Sequence, residues 1–396
     1  MSRIVVTGIG IITSIGKSAE ENRTSLLKGS HGLSSIELFS TRYASLLPFG
    51  EIKISNEDLK NELEVRQNPG VTRTSLLALH AIREAIQDSC LGNSELQSID
   101  TAFINGTTVG GMCLTEELYQ DANRKANGSA YVNSYDLGSV ALLIQSHYNI
   151  KGIINTINTA CSSSANAIMY GTRLIKSGLA KRAIVGGVDS LAKFTINGFN
   201  SLQILSPDKC TPFDENRKGL NLGEGAAFLV LEKEEDCPNK KIYARISGYS
   251  NTTDAFHPSS LSDNGEGPYL AMKSALALAG LTTDKIDFIN AHGTATENND
   301  MAESNAMKRL FDAVPAFAST KTYTGHTLGA ASAIEAIYSI FNIHHQEIYT
   351  SLNFKKPIPD IGLIPVQNYQ KKSIQHVMSN SFGFGGNCSS LILSKP

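Results

Sequence analysis

The stretch Ser98-Ile99-Asp100-Thr101-Ala102-Phe103-Ile104-Asn105-Gly106-Thr107-Thr108 returns in altered form as Lys285-Ile286-Asp287-Phe288-Ile289-Asn290-Ala291-His292-Gly293-Thr294, its Ile-Asp start displaced by 187 residues. Each copy follows an Ala/Leu-rich segment of helical period, Ser75 to Leu91 in the first and Tyr269 to Leu281 in the second. Two readings compete: a duplicated α/β half, or a chance likeness between two buried strands. Duplication is simpler, because helix, turn and strand recur in the same order. Working outward, short β-branched runs such as Arg3-Ile4-Val5-Val6-Thr7 alternate with longer helix-period stretches, the pattern of an α/β chain. The charged segment Glu232-Lys233-Glu234-Glu235-Asp236-Cys237-Pro238-Asn239-Lys240-Lys241 falls between the copies and reads as a solvated connection. The expected halves are therefore residues 1–238, carrying a nucleophilic cysteine, and 239–396, carrying two histidines.

A length of 396 residues suits two such halves, since domains run to about 100–200 residues. Thirty-five basic against 37 acidic residues, with no block of like charge, speaks against nucleic-acid wrapping and a polybasic membrane anchor. Apolar runs fall short of the roughly 18–20 residues that span a bilayer, and the opening residues meet Thr and Gly too early for a signal peptide. The six cysteines are scattered without a Cys-x-x-Cys pair, so free thiols in a reducing cytoplasm are expected.

Gly8-Ile9-Gly10-Ile11-Ile12-Thr13 approaches a dinucleotide fingerprint but lacks its third glycine and its acidic residue. It is read instead as a tight turn after the first strand. The glycine-rich stretches 106–111 and 383–386 lack the Lys-Ser/Thr of a phosphate loop and are read as close backbone approaches. Chemistry concentrates at Asn155-Thr156-Ile157-Asn158-Thr159-Ala160-Cys161-Ser162-Ser163-Ser164-Ala165, where a β-branched strand meets a small-residue turn and then a helix-period stretch. Cys161 is thus placed at a helix N-terminus, where free amides and the helix dipole favour the attacking thiolate. An isolated cysteine is commonly just a small buried apolar residue. The serine-rich elbow is what favours the nucleophile here.

Of nine histidines, only His292 and His326 lie in Gly/Thr turns after apolar strands. A histidine near a helix N-terminus is held as neutral imidazole, and two such donors stabilise a developing oxyanion or enolate. Cys161 with the two histidines as a metal set is the weaker reading, because no close ligand spacing or carboxylate partner accompanies it; no metal is expected.

Ala160-Cys161-Ser162-Ser163, Asn290-Ala291-His292-Gly293-Thr294-Ala295-Thr296, Thr320-Lys321-Thr322-Tyr323-Thr324-Gly325-His326 and Asn380-Ser381-Phe382-Gly383-Phe384-Gly385-Gly386-Asn387 together resemble the elongating β-ketoacyl-acyl carrier protein synthases of the thiolase superfamily. Cys210-Thr211-Pro212-Phe213-Asp214 and Gly223-Glu224-Gly225-Ala226 extend the likeness, which is close to full length. The resemblance implies a five-layered α/β/α/β/α fold of two duplicated halves, a homodimer or heterodimer, and acyl carrier protein as partner. It implies no cofactor beyond the carrier's phosphopantetheine, and a decarboxylating condensation of a Cys161-bound acyl group with malonyl-carrier protein, in fatty-acid or polyketide-type biosynthesis.

Carried over by position, the amides of Cys161 and Phe384 form the oxyanion hole, and His292 and His326 stabilise the enolate. Lys321 matches the family's active-site lysine and is implied to pair with Glu303. Thr294 and Thr296 match phosphopantetheine contacts. Phe384 matches the gating phenylalanine, Phe382 falls among the substrate contacts, and Val109 and Phe199 line the acyl pocket. Glu335, with Asn290, Ser379 and Asn380, falls where relatives hold a structural monovalent cation. Departures are Val109 for a bulkier residue, Tyr323 for Met or a small residue, and Glu297-Asn298-Asn299 for Pro-Ala-Gly. Gln203 stands where Arg is common, leaving Arg66 and Arg73 as a thin basic patch for the carrier. A specialised pathway with its own carrier protein is therefore expected. The alternatives are a catalytically silent chain-length-factor-like subunit and a coenzyme A-dependent thiolase-like acyltransferase, which is expected to carry a second cysteine in place of His326.

Overall fold

The computed structural model describes residues 2–65 and 71–396, so Arg66 and the Pro69-Gly70 break lie outside the described residues. The strands are β1 (Ile4–Thr13), β2 (Thr101–Gly106), β3 (Ile154–Ile157), β4 (Arg182–Asp189), β5 (Gly225–Lys233), β6 (Ala244–Thr253), β7 (Phe288–Asn290), β8 (Ala316–Ala318), β9 (Glu347–Ile348), β10 (Gln370–Lys371), β11 (His376–Gly383) and β12 (Asn387–Ser394). Ten form one sheet in the order β3-β2-β4-β5-β1-β6-β12-β11-β7-β8, while β9 and β10 make a small ribbon.

The sheet order is a palindrome of the duplication. β2 runs parallel to β3 and β4, and β5 is antiparallel to β4 and β1. In the second half β7 runs parallel to β8 and β11, and β12 is antiparallel to β11 and β6. The strands of the sequence echo, β2 and β7, hold equivalent places. Between the halves the ladder is slight: β1 meets β6 only at Val5–Arg245 and Val6–Ala244.

Two helices, Ser163–Lys176 and Ala331–His345, share one apolar cluster with residues of β1, β2, β4, β5, β11 and β12. They are the middle layer, each following a chemistry-bearing loop. The Arg73–Asp88 helix covers the first half's outer face through Leu76, Leu77, Ala81 and Ala85. The Glu266–Ala279 and Glu297–Leu310 helices cover the second half's through Met272, Ala275, Ala306 and Met307. Helix, sheet, helix, sheet and helix thus give the five α/β/α/β/α layers.

The Gly8–Thr13 stretch is not the turn that its glycines suggest. It continues β1, fully buried, past a bulge between Val6 and Gly8. A Cβ on Gly8 would lie 2.5 Å from the Ala85 carbonyl oxygen, and one on Gly10 2.0 Å from that of Ala81. Both glycines serve the close seating of a helix on a strand, a need with no signature of its own in a single sequence.

Candidate active site

The strand β3 ends at Ile157, and Ala160 turns the chain through φ 53°, a left-handed conformation unusual for a residue with a side chain. The Ser163 hydroxyl donates to the Ala160 carbonyl at 2.6 Å and accepts the Thr159 amide at 3.0 Å, and the Ser162 hydroxyl donates to the Thr159 carbonyl at 2.8 Å. These bonds close the elbow and leave Cys161 two residues ahead of the Ser163–Lys176 helix. Gly106 lets the elbow approach β2, since a Cβ there would meet the Ser164 nitrogen at 2.6 Å.

His292 and His326 reach the same point from the second half. His326 Nε2 lies 3.1 Å from Cys161 Sγ, and the imidazole centroids are 5.4 Å apart at 86°. All three side chains are buried. The His292 amide donates to Glu303 Oε1 and the Gly293 amide to Glu303 Oε2, both at 2.9 Å. The Lys321 ammonium lies 3.2 Å from His292 Nδ1, donates to the His292 carbonyl at 2.6 Å and forms an ion pair with Glu335 Oε1.

Each imidazole therefore has one proton assignment that fits its neighbours. His292 Nδ1 faces an ammonium donor and must accept, so its proton sits on Nε2. His326 Nδ1 accepts the Leu328 amide at 3.2 Å, so its proton also sits on Nε2, facing the sulfur. Burial, reinforced by Lys321, holds both rings well below the ordinary histidine range, and His326 adds to the effect on His292. They are neutral donors. Charged partners on this lysine side also make the cluster a poor cation trap, although one ligand atom from each of Cys161, His292 and His326 lies within 4.8 Å of the others.

The sulfur corrects the expectation for Cys161. Burial pushes the thiol up to about 11, against the opposing pull of Lys321 and the backbone amides of Phe384 and Cys161. The resting group is a thiol, because desolvation outweighs the helix terminus. The same two amides nevertheless converge on the sulfur, where a tetrahedral oxyanion would form.

Lys321 corrects another expectation: it pairs with Glu335 and not with Glu303, which is occupied by backbone amides and by Asn380 Nδ2 at 3.3 Å. Burial holds both carboxyls up at about 7, Glu335 against the pull of Lys321. Among the described residues Asn290 Oδ1 and Glu335 Oε2 are buried without a hydrogen-bond partner, and Asn290 Nδ2 donates to the Glu335 carbonyl at 3.3 Å. Asn380 turns away, its Oδ1 accepting from Ser390 at 2.9 Å.

A cavity of about 450 Å³ opens over the cluster, lined by Cys161, His292, His326, Thr294, Thr296, Phe199, Phe382 and Phe384 among others. The Thr294 and Thr296 hydroxyls are 2.9 Å apart, Phe384 stacks on Phe199 at 5.8 Å, and Phe382 meets the His292 ring at 5.7 Å. Val109 is not in this lining; it is buried behind it, in a cluster with Leu191, Ile196 and Leu328 against which Phe199 packs. Arg73 is no part of a docking patch. Its buried guanidinium forms an ion pair with Glu224 at 2.6 Å and bonds the carbonyls of Ile52 and Ile54. Sequence reasoning also missed Asp189 and Ser332. The Ser332 hydroxyl donates to the Cys161 carbonyl at 2.9 Å, and neither residue carries a local motif that would have exposed it.

The family profile described as "Beta-ketoacyl synthase, N-terminal domain" matches residues 1–237, and "Beta-ketoacyl synthase, C-terminal domain" matches residues 243–355. The chain is 32% identical, over 99% of its length and 93% of that protein's, to the mitochondrial 3-oxoacyl-[acyl-carrier-protein] synthase of Arabidopsis thaliana. It is 31% identical to 3-oxoacyl-[acyl-carrier-protein] synthase 2 of Vibrio cholerae, over 99% of each. Among solved structures it superposes on the ishigamide ketosynthase/chain length factor with a TM-score of 0.93 at 30% identity, over 100% of this chain and 99% of that one.

Proposed function

The chain belongs to the β-ketoacyl synthase family, and from that membership we propose how its own residues carry out a decarboxylating condensation on acyl carrier protein. In the first stage the Cys161 sulfur attacks an acyl thioester carried on phosphopantetheine. The oxyanion rests on the amides of Cys161 and Phe384, the carrier sulfur leaves, and the thiol proton ends on it. In the second stage malonyl thioester loses carbon dioxide while its enolate oxygen accepts from the Nε2–H groups of His292 and His326. The enolate carbon attacks the acyl-Cys161 carbonyl, and the cysteine thiolate leaves and regains a proton. The product is a β-ketoacyl thioester two carbons longer. The observation that carries this reading is geometric: two buried imidazoles, each with Nδ1 turned to a donor, Lys321 Nζ for His292 and the Leu328 amide for His326, with His326 Nε2 3.1 Å from Cys161 Sγ.

In this reading Lys321 orients His292 and suppresses its charge, Glu335 balances Lys321, and Glu303 holds the His292 loop. Thr294 and Thr296 bind the phosphopantetheine arm, Phe384 gates the cavity, and Phe199 and Phe382 line it, with Val109 shaping it from behind. The orphaned oxygens of Asn290 and Glu335 would offer two ligand atoms to a monovalent cation, whose charge the Glu335 carboxylate would have to offset together with that of Lys321. In this reading the halves are residues 1–238 and 239–396, a division that falls in the connection between β5 and β6. Among the described residues no helix is long and apolar enough to cross a membrane. All six cysteines are free, which suits a cytoplasmic site.

The cavity mouth supports a specialised carrier protein. Arg217 is engaged by the carbonyls of Asp214, Thr296 and Glu297, and Lys218 by Asp208, while Gln203 is neutral and Leu202 is exposed. Among the described lining residues both of these cations have an acidic partner, Arg217 in Asp300 at 3.9 Å and Lys218 in Asp208 at 2.9 Å. Tight binding of a housekeeping carrier protein at physiological salt would overturn this part. As to the alternatives, the catalytic set of Cys161 and two histidines is complete, against a silent subunit. The cavity lining holds no second cysteine, against a thiolase. Intact-protein mass spectrometry after incubation with acyl-carrier proteins tests the loading stage: an acyl adduct on the wild type and none on Cys161→Ala is expected, and an adduct on both would sink it.

A further inference from the structure

Asp189, at the end of β4, is a fully buried carboxylate that takes no part in the chemistry above. Its Oδ1 accepts the Thr107 hydroxyl at 2.7 Å and the amides of Thr108 and Val109 at 2.9 and 2.8 Å. Its Oδ2 accepts the Thr108 hydroxyl at 2.6 Å and the Gly329 amide at 2.7 Å. The last donor belongs to the other half of the chain, three residues beyond His326. Between them Leu328 stands at φ 54°, a left-handed conformation that a branched side chain adopts only where its surroundings impose it. Leu328 links the two anchored amides: its own N–H lies 3.2 Å from His326 Nδ1, and its φ directs the chain on to the Gly329 amide held by Asp189. Position 329 has no room for a side chain, since a Cβ would come within 2.9 Å of Asp189 Oδ2 and 3.1 Å of Thr108 Cγ2.

We propose that Asp189 is a positioning residue for His326: by gripping the Gly329 amide it holds Leu328 in its left-handed turn, keeps the Leu328 N–H on Nδ1, and so fixes the His326 proton on Nε2, facing Cys161. A hydrogen bond at one ring nitrogen decides which tautomer the other presents. The same carboxylate ties down the Thr107–Val109 loop, so the first half of the chain sets the proton position of a histidine carried by the second. The inference rests on the reading of His326 as a donor to the enolate.

The test is ¹⁵N NMR of ring-labelled histidines in the resting full-length enzyme, read beside the rates of Cys161 loading and of condensation. Wild type is expected to show His326 as the single Nε2–H tautomer. Asp189→Asn is expected to show a mixture of tautomers and a condensation rate lower by about five- to tenfold, the worth of one buried hydrogen bond, with loading changed less than about twofold on the same scale. Thr107→Val removes a bond to the same carboxylate without touching Gly329, and is expected to keep the single tautomer and the wild-type rate. If Asp189→Asn does not fold, Gly329→Ala, which forces the amide off the carboxylate, is expected to show the same mixture. An unchanged His326 spectrum in a folded Asp189→Asn or Gly329→Ala enzyme would overturn the proposal. Because the spectrum is read without substrate, a wild type inactive in condensation would refute the functional reading and leave the tautomer result standing.

Discussion

Replacing Lys321 by Met keeps an unbranched side chain one atom shorter and removes one buried charge together with three contacts: the Glu335 ion pair, the His292 carbonyl and His292 Nδ1. Breaking a buried pair from one side costs about 3–5 kcal/mol when the remaining charge stays ionised. Glu335 has another course open, because its carboxyl is already up at about 7 and Lys321 is what pulls it down. Without the lysine it rises further and takes up a proton, at about 1.4 kcal/mol per unit of rise. A carboxyl raised above its unfolded value binds more protons folded than unfolded, so stability falls as pH rises between the two values. In the wild type that fall ends near pH 7. In Lys321→Met it continues above pH 7, so the stability gap between the two enzymes widens from pH 6 to pH 9. Kinetically, His292 loses the donor that fixed its proton on Nε2, and condensation is expected to fall by about 10²-fold or more, the scale of one lost oxyanion donor. Loading of Cys161 also slows, because the thiol loses the pull of Lys321, but it keeps both amides and is expected to fall less. Denaturant melts at pH 6, 7, 8 and 9 with single-turnover rates for each stage provide the assay. A stability gap independent of pH, or a loading rate that falls as far as condensation, refutes the reasoning.

His292→Ala is expected to lower condensation by about 10²- to 10³-fold and to leave the acyl-Cys161 adduct detectable by mass spectrometry. Gly383→Ala puts a Cβ 2.8 Å from the Thr159 carbonyl oxygen and 3.0 Å from the Cys161 nitrogen, displacing the Phe384 amide; loading is expected to slow by about tenfold or more while the fold survives by circular dichroism. Arg73→Met strands the Glu224 carboxylate and is expected to destabilise the protein by about 3–5 kcal/mol in urea, with the salt dependence of carrier binding unchanged.

What the sequence disclosed follows from how local each feature is. The duplication was legible because β2 and β7 repeat a strand that follows an Ala/Leu-rich helix and ends in a Gly/Thr turn, and the Cys161 elbow because its serines cap their own turn. Long-range pairings were not legible. Glu303 and Glu335 are both glutamates on helices of the second half. Only the packing shows that Glu335 lies across from the short Lys321–Thr324 helix while Glu303 faces the His292 loop. Arg73 read as a surface cation because its partner, Glu224, lies 151 residues away. Val109 is hidden behind Phe199 for the same reason: depth in a pocket is set by what packs in front. Burial likewise reversed the expectation for the thiol of Cys161, whose position at a helix start was legible while its desolvation was not.

The most direct measurement is a single-turnover chase: enzyme carrying an acyl group on Cys161 is mixed with malonyl-carrier protein, and the adduct, the carbon dioxide released and the carrier-bound product are followed together. The account predicts that the adduct disappears as one carbon dioxide is released per β-ketoacyl chain two carbons longer, with His292→Ala stalled at the adduct. Loss of the adduct to free acid without chain extension, or extension without loss of carbon dioxide, would contradict it.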